Sequence, residues 1–129
     1  MTEYIFHYDN PAIAPDGCKE ITIQASCKKR VEGEFSAIFA AVPNGTYIAS
    51  KAGRGKAKRE GLLKGFPDAI IVGVGPNKGK TAFAEIKAKG ALKLHQRELL
   101  TIMSSNGHDC GVFRSQDTLA AKLKEWGWV

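Results

Sequence analysis

The sequence predicts an α/β fold with a mixed central sheet flanked by helices. Three observations carry that expectation. Short β-branched or apolar runs alternate with segments of helical period. Two of these runs, Asp68 to Val74 and Lys80 to Ala88, are joined by Gly75-Pro76-Asn77-Lys78-Gly79, a turn-forming cluster that reads as a hairpin. No internal repeat, low-complexity tract or long linker interrupts the pattern, so residues 1–129 are expected to form a single domain.

Taken in order, Tyr4 to Tyr8 alternates as a short strand does. Asn10-Pro11 and Pro15-Asp16-Gly17 are turn signals. A helix is predicted from Lys19 to Val31, with Glu20, Gln24, Cys27 and Val31 on one face. Glu34 to Val42 reads as a strand ended by Pro43-Asn44-Gly45. Part of residues 51–64 is expected to be a short helix ended by Gly65. The hairpin follows. Lys93 to Asn106 reads as a helix with Gln96, Leu99, Leu100 and Met103 inward, closed by Gly107. Asp109 to Arg114 is a strand. Gln116 to Trp126 is a last helix, with Leu119, Leu123 and Trp126 inward.

Composition narrows the class. The chain has 129 residues, 43% apolar and 25% charged, which excludes a disordered or fibrous chain. No apolar run reaches the roughly 18 residues of a membrane helix. The start, Met1-Thr2-Glu3-Tyr4, lacks the features of a secretory signal, so a cytoplasmic location and no membrane partner are expected. Cys18, Cys27 and Cys110 form an odd set without a C-x-x-C pair, and His7, His95 and His108 are scattered. Reduced thiols follow, with the histidines structural or at the surface; neither a disulfide framework nor a zinc site is expected.

The net charge is +6. Most of it sits in residues 51–64, where Lys51, Arg54, Lys56, Lys58, Arg59 and Lys64 oppose Glu60 alone. This stretch is the expected nucleic-acid-facing element, and Gly53 and Gly55 suggest a loop that orders on a phosphate backbone. Lys28-Lys29-Arg30 is a second basic patch. Contacts of this kind read backbone and shape rather than sequence.

The hairpin holds the chemistry. With its turn centred on Asn77, position 68 falls opposite 86, and residues 85 and 87 flank Asp68. Glu85 and Lys87 then share one face, while Ala82, Ala84, Ile86 and Ala88 form an apolar one. Two carboxylates beside an ammonium suit Mg²⁺ or Mn²⁺, which takes one or two carboxylates and completes its shell with water and substrate phosphate. The lysine can orient or deprotonate the attacking water. Gln96 falls on the inward face of the next helix, where it needs polar partners that this patch can supply. Gly75 to Thr81 imitates the end of a phosphate-binding P-loop, but Val74 replaces the first glycine and a strand follows, so no nucleotide cofactor is expected. Lys78 and Lys80 are placed to touch a backbone phosphate.

Gly65-Phe66-Pro67-Asp68, sixteen residues, Glu85-Ile86-Lys87 and then Gln96 together resemble the PD-(D/E)xK nuclease superfamily. More narrowly the chain resembles the virus-type replication-repair nuclease (VRR-NUC) domain. Phe39 to Gly45, Lys58 to Asp68 and Gly107 to Ser115 resemble further stretches of that family, from about Glu20 to Trp126 in all. The resemblance implies a restriction-endonuclease-like core and Mg²⁺- or Mn²⁺-dependent hydrolysis of DNA phosphodiesters. It implies branched, flapped or four-way-junction DNA as substrate, in replication, repair or recombination. Asp68 and Glu85 would be metal ligands, with the Ile86 backbone carbonyl as a further one. Lys87 would be the catalytic lysine, and Gln96 the family's helix glutamine. Glu20 best matches its acidic residue on the first helix, although Asp16 or Glu32 could compete after a small shift. Phe66 stands where relatives often carry a smaller apolar residue. A stand-alone chain of this size resembles phage or prophage enzymes, which implies a bacterial host cytoplasm and a homodimer. A DNA-binding module of the same fold without turnover is the alternative, and an RNA-directed nuclease a third reading.

Overall fold

The computed structural model describes residues 3–15, 17–43 and 51–129. Its elements are β1 (His7–Tyr8), a 3₁₀ turn (Pro11–Ile13), α1 (Glu20–Glu34), β2 (Ala37–Ala41), α2 (Lys51–Arg59) and β3 (Ala69–Gly73). A second 3₁₀ turn (Gly75–Asn77), β4 (Thr81–Ile86), α3 (Leu94–Ser105), β5 (Asp109–Phe113) and α4 (Gln116–Glu125) complete it. The strands form a five-stranded sheet in the order β1-β5-β4-β3-β2. β1, β5 and β4 run parallel, whereas β4, β3 and β2 are antiparallel neighbours, so the sheet is mixed. The connectivity explains this. The tight β3–β4 turn forces antiparallel pairing, and α3 supplies the crossover that parallel β4 and β5 need.

Helices cover both faces. α1 brings Ile23, Cys27 and Val31, and α4 brings Leu119 and Leu123, onto Ala69, Ile71, Ala82, Ala84, Ile86 and Phe113 of the sheet. The alanines let the two helices approach closely, and each large aliphatic side chain buried here stabilises the fold by about 1.5–3 kcal/mol. On the opposite face, Leu100 of α3 packs with Phe6, Cys110 and Val112. Cys18, Cys27 and Cys110 are free thiols, and burial pushes Cys27 and Cys110 up to about 12 and about 11. Among the described residues no helix is long and apolar enough to cross a membrane.

The expected elements are present, with local corrections. β1 is two residues rather than five; beside it Tyr4 stacks on Phe6 with centroids 4.8 Å apart and meets Tyr8 at a tilt, 4.7 Å away. The inward residue of α1 near its start is Ile23; Glu20 is exposed and Gln24 half-buried. α2 ends at Arg59, not at Gly65, and Gly53 and Gly55 lie inside it rather than in a loop. Alanine and the long unbranched cations around them are good helix formers. Asp16, Asn44 and Gly45, expected as turn or site residues, lie outside the described residues.

Two polar clasps hold the sheet's ends. Arg114, 0% exposed, reaches the carbonyls of Asp9, Ala88 and Gly90 and the Tyr8 hydroxyl, while its amide donates to Asp9. It therefore ties the exit of β4 to β1. At the other end Asn77, also buried, donates to the carbonyls of Ser36 and Val129 and accepts from the Val129 amide.

Candidate active site at the end of the central hairpin

The register of the hairpin builds the site. Ala69 pairs with Ala84, Ile70 with Phe83, Ile71 with Ala82 and Val72 with Thr81. This is one residue away from the expected pairing, and it carries Asp68 opposite Glu85 rather than Ile86. The slip has a cause in the turn. The Gly73 amide donates to the Lys80 carbonyl, which leaves an even-numbered loop whose centre lies before Asn77. Gly73 permits it, since a Cβ there would sit 2.0 Å from the Asn77 carbonyl oxygen. Directly paired residues share a face, so Asp68 and Glu85 project together toward α3, away from Ala82, Ala84 and Ile86.

β3 proper begins at Ala69, so Asp68 continues the ladder with its side chain. Its Oδ2 accepts the Ile86 amide at 2.8 Å. The Ile86 carbonyl leaves the strand on that same edge, because the N–H and C=O of one strand residue point the same way. Glu85 is 2% exposed. Its Oε1 accepts from Gln96 Nε2 at 3.3 Å, and Gln96 Oε1 accepts from the Lys93 amide at 3.0 Å. The half-buried polar face of α3 is thus satisfied as expected, with Gln96 bridging the helix start to the strand. Lys87 follows on the same face and is 8% exposed.

Asp68, Glu85, Lys87, Gln96 and Glu20 line a single pocket of about 380 Å³, joined by Lys64, Gly65, Phe66, Lys93 and His95. Burial pushes Glu85 up to about 10, and the hydrogen bond and charge of Asp68 push the same way, with Glu20 adding to them; Lys87 pulls it down. The second Glu85 oxygen, Oε2, is buried and has no hydrogen-bond partner.

An orphaned carboxylate oxygen beside a second carboxylate is a donor set of hard oxygens that fits Mg²⁺ or Mn²⁺. Asp68, Glu85 and the Ile86 carbonyl are the residues that would hold such an ion. Among the described residues no group of three or more His, Cys, Asp and Glu side chains stands close enough to hold a metal by itself. Glu20 lines the same pocket as Asp68 and Glu85. Glu32, the competing acid, is used elsewhere: its Oε2 accepts the Phe39 amide and the Lys28 ammonium.

The basic stretch is only partly at the pocket. Lys64 lines it, whereas Arg54, Lys56, Lys58 and Arg59 lie beyond its lining, and Lys56 pairs with Glu60 at 3.7 Å. The Lys51 side chain lies outside the described structure. The second patch is largely consumed by structure: Lys28 bonds Glu32 and the Phe39 carbonyl, and Arg30 pairs with Glu34 and Asp117. Lys80, expected near a phosphate, donates to the Gly127 carbonyl. Two pocket residues were not expected at the site: Lys93, read as the start of a helix, and His95, read as structural or at the surface. Their signal was position, since both fall at the start of the helix that carries Gln96.

No protein-family model, no curated protein and no solved structure matches the chain at a significant level.

Proposed function

We propose that the chain is a divalent-cation-dependent deoxyribonuclease of the PD-(D/E)xK kind, resembling the VRR-NUC domain and acting on branched or flapped DNA. The observation that carries this reading is the meeting of Asp68, Glu85, Lys87 and Gln96, from two strands and a helix, in one pocket. A bound Mg²⁺ or Mn²⁺ would supply Lewis acidity toward the phosphoryl oxygen and lower the pKa of a coordinated water. The chain's own residues do the rest. Asp68 and Glu85 present hard anionic oxygens. Gln96 fixes Glu85 through its amide. Lys87 offers an ammonium to orient the attacking water and to offset charge developing on the phosphate. Exposed cations on α2 hold the nucleic-acid backbone outside the pocket.

Lys87 tests the reading. In Lys87→Met the cation-induced rise in melting temperature persists, and single-turnover cleavage falls by about a hundredfold or more. Cleavage by Lys87→Met at the wild-type rate contradicts the proposal. The second reading is a DNA-binding module of the same fold without turnover. Tight, salt-sensitive DNA binding with no cleavage in Mg²⁺ or Mn²⁺ would select it.

A further inference from the structure

The catalytic reading leaves the basic side of the pocket unassigned: Lys64, Lys93 and His95. Lys93 and His95 open α3, and that opening departs from the ordinary rule for a helix. The N-cap is Lys93, which makes no side-chain cap, and no acid stands in the first turn. An N-cap is ordinarily Ser, Thr, Asp or Asn, whose oxygen accepts the N2 or N3 amide; a lysine ammonium has donors only. Its charge also meets the positive end of the helix dipole. The first intrahelical bond runs from the Arg97 amide to the Lys93 carbonyl, so the amides of Leu94, His95 and Gln96 lie ahead of the ladder. A local rule broken beside a pocket is the pattern of a functional site.

The same turn is tied to the acids. Gln96 accepts the Lys93 amide at 3.0 Å through Oε1 and donates to Glu85 at 3.3 Å through Nε2, so one side chain joins the helix start to the buried carboxylate. Glu85 is 2% exposed, and its Oε2 has no hydrogen-bond partner. The loop before Asp68 is seated on this turn as well. A Cβ on Gly65 would meet the His95 backbone carbonyl carbon and oxygen at 2.9 Å, which brings Lys64 to the rim. One cavity of about 380 Å³ therefore has a basic side, Lys64 and Lys93 with the start of α3, and an acidic side, Glu20, Asp68 and Glu85. The orphaned carboxylate oxygen calls for a cation and the uncapped turn for an anion. A phosphate associated with a divalent cation meets both demands. We propose that the first turn of α3, with Lys93 and Lys64, seats a phosphate group of the nucleic-acid strand beside the carboxylate pair. The inference rests on the nuclease reading for its role: the seat holds the phosphodiester backbone at the carboxylates.

The test is differential scanning fluorimetry with inorganic phosphate as the probe, at constant ionic strength, in EDTA and in Mg²⁺. Wild type is expected to show a saturable rise in melting temperature with phosphate, larger in Mg²⁺ than in EDTA. Lys93→Ser gives α3 a neutral cap. Without phosphate it should melt no lower than wild type. Its apparent phosphate affinity should fall about tenfold or more, as loss of a charged hydrogen-bond donor implies. Lys64→Gln leaves the helix start intact and should weaken phosphate about twofold or more, the scale of an exposed charge. The absence of a phosphate-dependent rise in wild type under both conditions overturns the seat. So does a Lys93→Ser protein that binds phosphate as wild type does or melts below it. Phosphate binding is read without turnover, so failure of the nuclease reading appears separately, as absence of cleavage in Mn²⁺.

Discussion

The Asp68 carboxylate accepts the Ile86 amide at 2.8 Å, standing in for the Pro67 carbonyl that β3 would supply if its ladder began two residues earlier. One side chain thus closes the sheet and delivers an acid to Glu85. Removing the charge and removing the hydrogen bond are separable. Asp68→Asn keeps an acceptor for Ile86, so in EDTA its melting temperature should stay close to that of wild type. Asp68→Ala leaves the amide unpaired and should cost about 1–3 kcal/mol. Neither variant should show the cation-dependent rise in melting temperature expected of wild type. Differential scanning fluorimetry with and without Mn²⁺ reads all three.

Asp9 makes stability depend on acid. Burial raises its pKa, but hydrogen bonds from His7, Thr118 and the Arg114 amide outweigh burial and hold it below the ordinary 3.8. A depressed carboxyl stabilises the fold fully above its unfolded-state value, and that contribution disappears as pH falls through the lower folded-state value. Thermal melts across the acid range should therefore steepen below about pH 4 in wild type and flatten in Asp9→Asn. Asp9→Ala also leaves the buried Arg114 amide without its acceptor, a loss of about 1–3 kcal/mol, measurable by urea denaturation.

Gly65 is required by both its backbone and its neighbour. At φ +88°, with the His95 backbone 2.9 Å from any Cβ, Gly65→Ala should destabilise by about 1–3 kcal/mol. Gly61→Ala controls for the conformation alone, since its φ of +97° is similar but no atom lies within 4 Å of the added carbon.

The exposed cations of α2 should act through counterion release. Neutralising Lys58 or Arg59 should weaken binding to all DNA forms alike. The slope of log K against log salt should fall by about 0.9 for each phosphate that the variant no longer neutralises. An unchanged slope would place the DNA elsewhere on the surface.

Much of this arrangement was legible in the sequence, and its errors have local causes. The hairpin announced itself through Gly75 to Gly79, yet its register did not, because the close approach of Gly73 to Asn77 is a tertiary fact. Asn77 reads as a turn residue; that it also clasps Ser36 and Val129 is invisible until the chain is folded. Gln96 could be read because a polar residue on an inward helix face demands a partner. Lys93 and His95 could not, since an exposed polar residue at a helix start is ordinary. The patch Lys28-Lys29-Arg30 shows the opposite limit: charge is visible in sequence, but the pairing of Arg30 with Asp117 is not.

The most direct measurement is cleavage of labelled junction, flap, splayed and linear DNA in Mn²⁺ by wild type and by folded Asp68→Ala. The account predicts that wild type cuts at least one substrate carrying an unpaired strand, that EDTA abolishes the cut, and that Asp68→Ala leaves it at background. A wild type that cuts none of them, or an Asp68→Ala protein that cuts at the wild-type rate, would contradict it.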